Sequence, residues 1–111
     1  ASTQIQKALV IQPKNELYLD LYGQILMQQK NYLKAETVFK DAVVIDYTNP
    51  ILLEHYGDAL FLNGKIDNAL EMWNESKKNG NSSELLNKKI RDKAKMLTAP
   101  VKLGSYKEDD Y

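Results

Sequence analysis

Apolar residues recur at three- and four-residue intervals along most of the chain, interrupted by short gaps rich in proline, glycine and asparagine. That spacing predicts amphipathic helices. Residues 3–11 place Ile5, Leu9 and Val10 on one side, and Pro13 stops the segment. Residues 16–29 carry Leu17, Leu21, Ile25 and Gln28 along one line, with Tyr18, Tyr22 and Leu26 beside it, so that helix is apolar over a wide arc. After a break at Lys30-Asn31, residues 32–45 resume with Leu33, Ala35, Val38, Phe39, Ala42 and Val43. Thr48-Asn49-Pro50 predicts a turn with proline at a helix start, where no amide donor is needed. Residues 51–62 follow, and Asn63-Gly64 ends them with a residue suited to a left-handed cap. Residues 66–78 point Ile66, Ala69, Leu70, Met72 and Trp73 inward, and Asn79-Gly80-Asn81 closes that helix. Ser82 or Ser83 can cap a last helix to about residue 97, striped by Leu86, Ile90, Ala94 and Leu97. No segment alternates apolar and polar residues as a strand would, so an all-α chain is expected.

The helices repeat. Tyr22-Gly23 and Tyr56-Gly57 stand 34 residues apart, as do Ala35 and Ala69, Phe39 and Trp73, and Ala42 and Ser76. Ala8 lies 34 before Ala42, and Ile5 lies 34 before Phe39. A period of this length signals helical hairpins stacked in an array, each hiding its apolar face against the next. Antiparallel helices joined by a short turn need small side chains where they cross. Gly23 and Gly57 are placed at those crossings with Ala35 and Ala69 opposite, since glycine inside a helix costs roughly 1 kcal/mol and two at one phase imply a packing reason. Phe39 and Trp73 are expected to plug the gap to the next pair.

These residues resemble the tetratricopeptide repeat signature over residues 1–97. One repeat spans 16–49, with Leu19, Tyr22, Gly23, Leu26, Ala35, Phe39 and Ala42 at pattern positions; a second spans 50–83, with Leu53, Tyr56, Gly57, Leu60, Ala69, Trp73 and Ser76. Leu19 and Leu53 stand where that family often has tryptophan, Tyr22 and Tyr56 replace leucine, and Tyr47 replaces the terminal proline. The resemblance implies a right-handed helical-hairpin solenoid of about two full repeats, preceded by a half repeat at 1–15 and followed by a capping helix at 84–97. Arg91 falls on the close-contact glycine position of a third repeat, which suits a cap showing Lys88, Lys89, Arg91, Asp92, Lys93 and Lys95 to solvent. A flexible tail is expected at 98–111, and the half repeat suggests the C-terminal part of a longer, bacterial array.

In that family the first helices of successive pairs line a concave groove for a peptide or helix. Carried onto this chain, the groove would be lined by Leu17, Asp20, Gln24, Met27 and Gln28, then Ile51, Glu54, Asp58, Phe61 and Leu62, with Lys88 and Asp92 from the cap. Exposed Met27, Phe61 and Leu62 would supply apolar contact. Asp20, Glu54 and Asp58 on this surface point to a neutral or basic segment as the ligand rather than an acidic one.

Composition narrows the remaining choices. Fifteen basic and fifteen acidic side chains cancel, which removes the electrostatic case for nucleic acid. No apolar run reaches the ~20 residues that span a bilayer. The chain has no cysteine and a single histidine, His55, so zinc ligation lacks partners, and no cofactor or metal is expected. His55 is read as a surface or packing residue. Glu54 and Asp58 share a helix face, but a general acid needs a pocket that shifts its pKa, and no catalytic residue is assigned. Asn63-Gly64-Lys65 is a turn, too short for a phosphate loop. The expected role is a protein-interaction scaffold; self-association into a homo-oligomer and an accessory domain of an enzyme or envelope protein are the alternatives. Compartment is open.

Overall fold

The computed structural model describes residues 2–98, with side chains from 3 to 93; the expectations for the tail and for Ala94, Lys95 and Leu97 lie outside them. Six helices follow one another: α1 (Ser2–Ile11), α2 (Glu16–Gln28), α3 (Tyr32–Ile45), α4 (Pro50–Leu62), α5 (Ile66–Lys78) and α6 (Glu84–Thr98). Among the described residues there is no strand.

The starts of α2, α4 and α6 repeat one device at one phase. Asn15 accepts a hydrogen bond from the Tyr18 amide, Asn49 from the Ile51 and Leu52 amides, and Ser83 Oγ from the Leu86 amide. Each satisfies amides that a helix start leaves without intrahelical partners. The ends repeat too. Lys30 and Gly64 both take positive φ, 61° and 83°, and the next amide closes back onto a carbonyl of the last turn (Asn31 to Leu26 and Lys65 to Leu60, both 2.9 Å).

Each helix packs on its successor, and α2 also touches α4, which is the connectivity of stacked hairpins. One core cluster gathers Leu19, Tyr22, Leu26, Ala35, Val38, Phe39 and Ala42 from α2 and α3, with Leu52 and Ala59 from α4 and Ile5 and Leu9 of α1 against it. The second gathers Leu60, Ala69, Leu70 and Trp73 with Leu86 of α6. Ser76 is fully buried at the Ala42 phase and survives there because its Oγ donates to the Pro50 carbonyl at 2.6 Å. Val10 and Leu33, counted in the apolar patterns of their helices, are 82% and 74% exposed. Successive helical residues differ by about 100°, so Leu9 rather than Val10, and Ala35 rather than Leu33, reaches the core.

The glycines face rings. A Cβ on Gly23 would lie 2.3 Å from Phe39 Cε1, and one on Gly57 would lie 2.5 Å from Trp73 Cδ1 and Nε1. The ring of the same hairpin thus supplies the atoms nearest to Gly23. Ala69 does approach Gly57, but through its carbonyl, 3.2 Å from the same Cβ position. Phe39 also reaches the next hairpin, its ring centroid 5.7 Å from that of His55.

Gly57→Ala should destabilise the fold: overpacking of roughly 1–3 kcal/mol exceeds the helix-propensity gain of about 1. Urea titration measures it, and unchanged or raised stability would contradict the ring-on-glycine contact. Lys30→Gly should instead stabilise by on the order of 0.5–1 kcal/mol, because it removes a side chain from the left-handed region. A lower urea midpoint would refute that.

Candidate functional site

The helices α2, α4 and α6 are joined across the repeats by two ionic contacts at the same phase. His55 Nδ1 stands 2.6 Å from Asp20 Oδ1, and Lys89 Nζ stands 2.8 Å from Glu54 Oε2. Both contacts bridge 35 residues, and Asp20 to Glu54 and His55 to Lys89 are each one 34-residue period. A carboxylate oxygen accepts, so His55 Nδ1 carries the proton toward Asp20. Gln24 Nε2 donates to the other Asp20 oxygen at 3.2 Å.

Lys89 serves two acids. It also donates to both oxygens of Asp58, at 3.0 and 3.1 Å, and Asp58 Oδ1 accepts from the Trp73 indole at 3.0 Å. The second Glu54 oxygen accepts from Asn81 Nδ2 at 2.8 Å, and the same amide reaches Ser76 Oγ at 3.0 Å. A further link ties α3 to the α4–α5 turn, where Glu36 receives Asn63 Nδ2 at 2.8 Å and Lys65 Nζ at 2.7 Å. Removing one partner of a buried pair leaves a desolvated charge, so these contacts fix the helices relative to one another.

Seven of the twelve residues expected to line a groove border one of two concavities. Gln24, Met27, Gln28 and Asp58 border one of about 240 Å³, with Phe39 and His55 in its wall. Leu17, Asp20 and Ile51 border another of about 210 Å³ with Glu16, Asn49 and Leu52. A larger hollow of about 580 Å³ lies over the single turn Gln12–Glu16 and holds none of the expected residues. Leu62 and Lys88 are exposed on α4 and α6. Asp92 is partly exposed, with only a loose contact to Arg91 at 3.9 Å.

Several expectations change. Asp20 is buried rather than open, and Asp20, Glu54 and Asp58 are all paired, so they do not form a free negative strip. Met27 packs against the first core cluster. Phe61 packs against Trp73 at 5.9 Å between centroids and lies under Lys93 Nζ at 4.7 Å. Both are half-buried. Lys89 turns inward instead of toward solvent, because its phase is that of His55. Two residues of this face were not among the expected lining: His55, and Leu85, which continues Leu17 and Ile51 at 34-residue steps. The period that located the glycines contains both.

Electrostatics follow from the pairing. Burial alone would lower the His55 pKa, but the Asp20 hydrogen bond and charge, with Asp58 and Glu54 beyond, outweigh it and raise the value. Burial pushes Asp58 above the ordinary aspartate value even against Lys89 and the Trp73 indole. Glu54 is held below the ordinary glutamate value, since Lys89 and Asn81 overcome its burial. Among the described residues no group of His, Asp or Glu side chains is placed to hold a metal ion, and no helix is long and apolar enough to cross a membrane.

A histidine whose folded pKa is raised contributes stability that is full below its unfolded value near ~6.5 and is lost as pH rises through the folded value. The urea midpoint should therefore fall between about pH 6 and 8, a slope that His55→Gln should flatten. An equal slope in both proteins would show that His55 is not the group responsible.

No family model matches the chain, and no curated protein matches it. Solved structures do. The first tetratricopeptide domain of Spaghetti (RPAP3), bound to the HSP90 peptide SRMEEVD, superposes with a TM-score of 0.84 at 15% identity, over 88% of this chain and 78% of that one. The Sgt2 tetratricopeptide domain from Aspergillus fumigatus gives 0.82 at 18% identity, over 96% and 76%. PcrH, in complex with the chaperone-binding region of PopD, gives 0.67 at 14% identity, over 88% and 74%. The chain therefore has the fold of a tetratricopeptide-repeat domain.

Proposed function

We propose that this chain is a binding module whose α2–α4–α6 face holds an uncharged segment of a partner protein. The observation that carries the reading is the internal pairing of Asp20, Glu54 and Asp58 with His55 and Lys89. It leaves the open part of the face to aliphatic and amide side chains: Leu17, Gln24, Gln28, Ile51 and Leu62. A basic ligand, allowed by the sequence, finds Asp20, Glu54 and Asp58 already occupied. An acidic ligand meets buried acids and only Lys88 as an open cation on the expected lining. Paired side chains cost less to cover than free ones, whereas exposed aliphatic surface gains by leaving water. Support by analogy comes from RPAP3 and PcrH, whose structures hold an HSP90 peptide and a region of PopD.

Ile51→Asp should weaken capture of neutral, aliphatic peptides from an immobilised peptide array by about tenfold or more, the worth of one buried side chain. Val44→Asp, on exposed α3 surface, should leave capture unchanged. Circular dichroism confirms that both proteins are folded. Loss of binding by Val44→Asp with Ile51→Asp unaffected would move the site off this face.

A further inference from the structure

Val10 and Ile11 end α1, Val44 and Ile45 end α3, and Tyr47 follows in the next turn; all five are 41–82% exposed. Both helices pack on α2, and Leu9 and Val43, the neighbours of Val10 and Val44, pack against one core cluster. The two helix ends therefore flank the start of α2 on one side of the molecule. Val44 and Ile45 stay exposed although α3 has α2 on one side and α4 on the other, so the exposure belongs to this phase of the repeat. Polar groups sit among the apolar ones. Lys14 is exposed in the α1–α2 turn. Burial and the adjoining Asp46 carboxyl raise the Glu16 pKa, and Glu16 Oε2 is buried without a hydrogen-bond partner.

We infer that this patch is the contact between two copies of the chain, related by a two-fold axis, with the α1 end of each against the α3 end of the other. The inference goes beyond the binding reading and uses other side chains. A two-fold contact requires that residue i meet j while j meets i, and the patch carries both halves. Val10 and Ile11 of one copy cover Val44 and Ile45 of the other. Tyr47 enters the hollow of about 580 Å³ over the other copy's α1–α2 turn. Lys14 reaches the Glu16–Asp46 pair across the axis and supplies the cation that Glu16 Oε2 lacks within its own chain.

The available area sets the strength. Burial of one aliphatic side chain removes roughly 60–120 Å² of apolar surface and a ring somewhat more, so the five supply on the order of 400 Å² per copy. With about 56–65% of an interface apolar, that corresponds to about 1,200–1,400 Å² in total. This clears the ~1,000 Å² of a specific interface and falls short of the ~1,600 Å² of a standard one, so the dimer is expected to be weak.

Sedimentation equilibrium of the full 111-residue chain tests the contact. A monomer–dimer equilibrium with Kd on the order of 10–100 μM is expected. Tyr47→Ser and Ile11→Asp should each raise Kd about tenfold or more, and Leu33→Asp, on exposed surface at the opposite end of α3, should not. Lys14→Glu should weaken the dimer, and adding Asp46→Lys should restore it by exchanging the charges across the axis. Val44→Asp should weaken the dimer while peptide capture stays unchanged, which keeps failure of this contact distinct from failure of the binding reading. Circular dichroism checks that each variant is folded. A monomer at every concentration would overturn the inference and leave the patch to a different protein. A dimer indifferent to Tyr47→Ser and Ile11→Asp, one broken by Leu33→Asp, or growth beyond two copies would overturn it as well.

Discussion

Asp20 and Glu54, one on each of two successive first helices, meet the side chain thirty-five residues later on the next, and that contact sets most of what this face can do. Stacking identical hairpins brings the same phases together at every step. Asp20 thus meets His55, and Glu54 meets Lys89. The pairs are partly shielded from water, so each acid is costly unless matched, and each has extra donors: Gln24 for Asp20 and Asn81 for Glu54. One contact type therefore positions three helices and gives Asp20 and Glu54 a partner on the next repeat.

The core and the face are coupled through Trp73. Its ring fills the space that a side chain at Gly57 would need, while its indole donates to Asp58, which also receives Lys89. Phe39 fills the space above Gly23 in the same way and stacks near His55. In both hairpins the ring that closes the pair also touches the inter-repeat contact. Loosening the hairpin would thus disturb the alignment of α2, α4 and α6.

The helix ends were legible in the sequence because turn chemistry is local: the Asn49 side chain caps the amides just after it, Pro50 starts a helix and Gly64 takes a positive φ. The period located the helices that pack together, since like residues recur at like contacts. Side-chain direction was less legible. Val10 and Leu33 are apolar yet exposed, since the apolar pattern of a helix does not say which of its positions meets a neighbour. The acids were read as open because sequence shows a carboxylate's helix face but not a cation arriving from another helix. The His55–Lys89 phase encodes that arrival, yet an imidazole and an ammonium do not look alike in a pattern of residue types. Leu85 was missed for a similar reason: treating α6 as a cap hid its continuity with Leu17 and Ile51.

The central claim is that internal pairing leaves this face without a charge preference. Its most direct test is the affinity of a neutral, aliphatic peptide captured from the array, in three versions that differ only in flanking residues, neutral, lysine-bearing and glutamate-bearing, at low and high salt. The account predicts that all three bind with similar affinity and that salt changes it little, because Asp20, Glu54 and Asp58 already have partners within the chain. Strong preference for the lysine-bearing peptide, fading as salt rises, would show that Asp20, Glu54 and Asp58 are available to ligands and would contradict it.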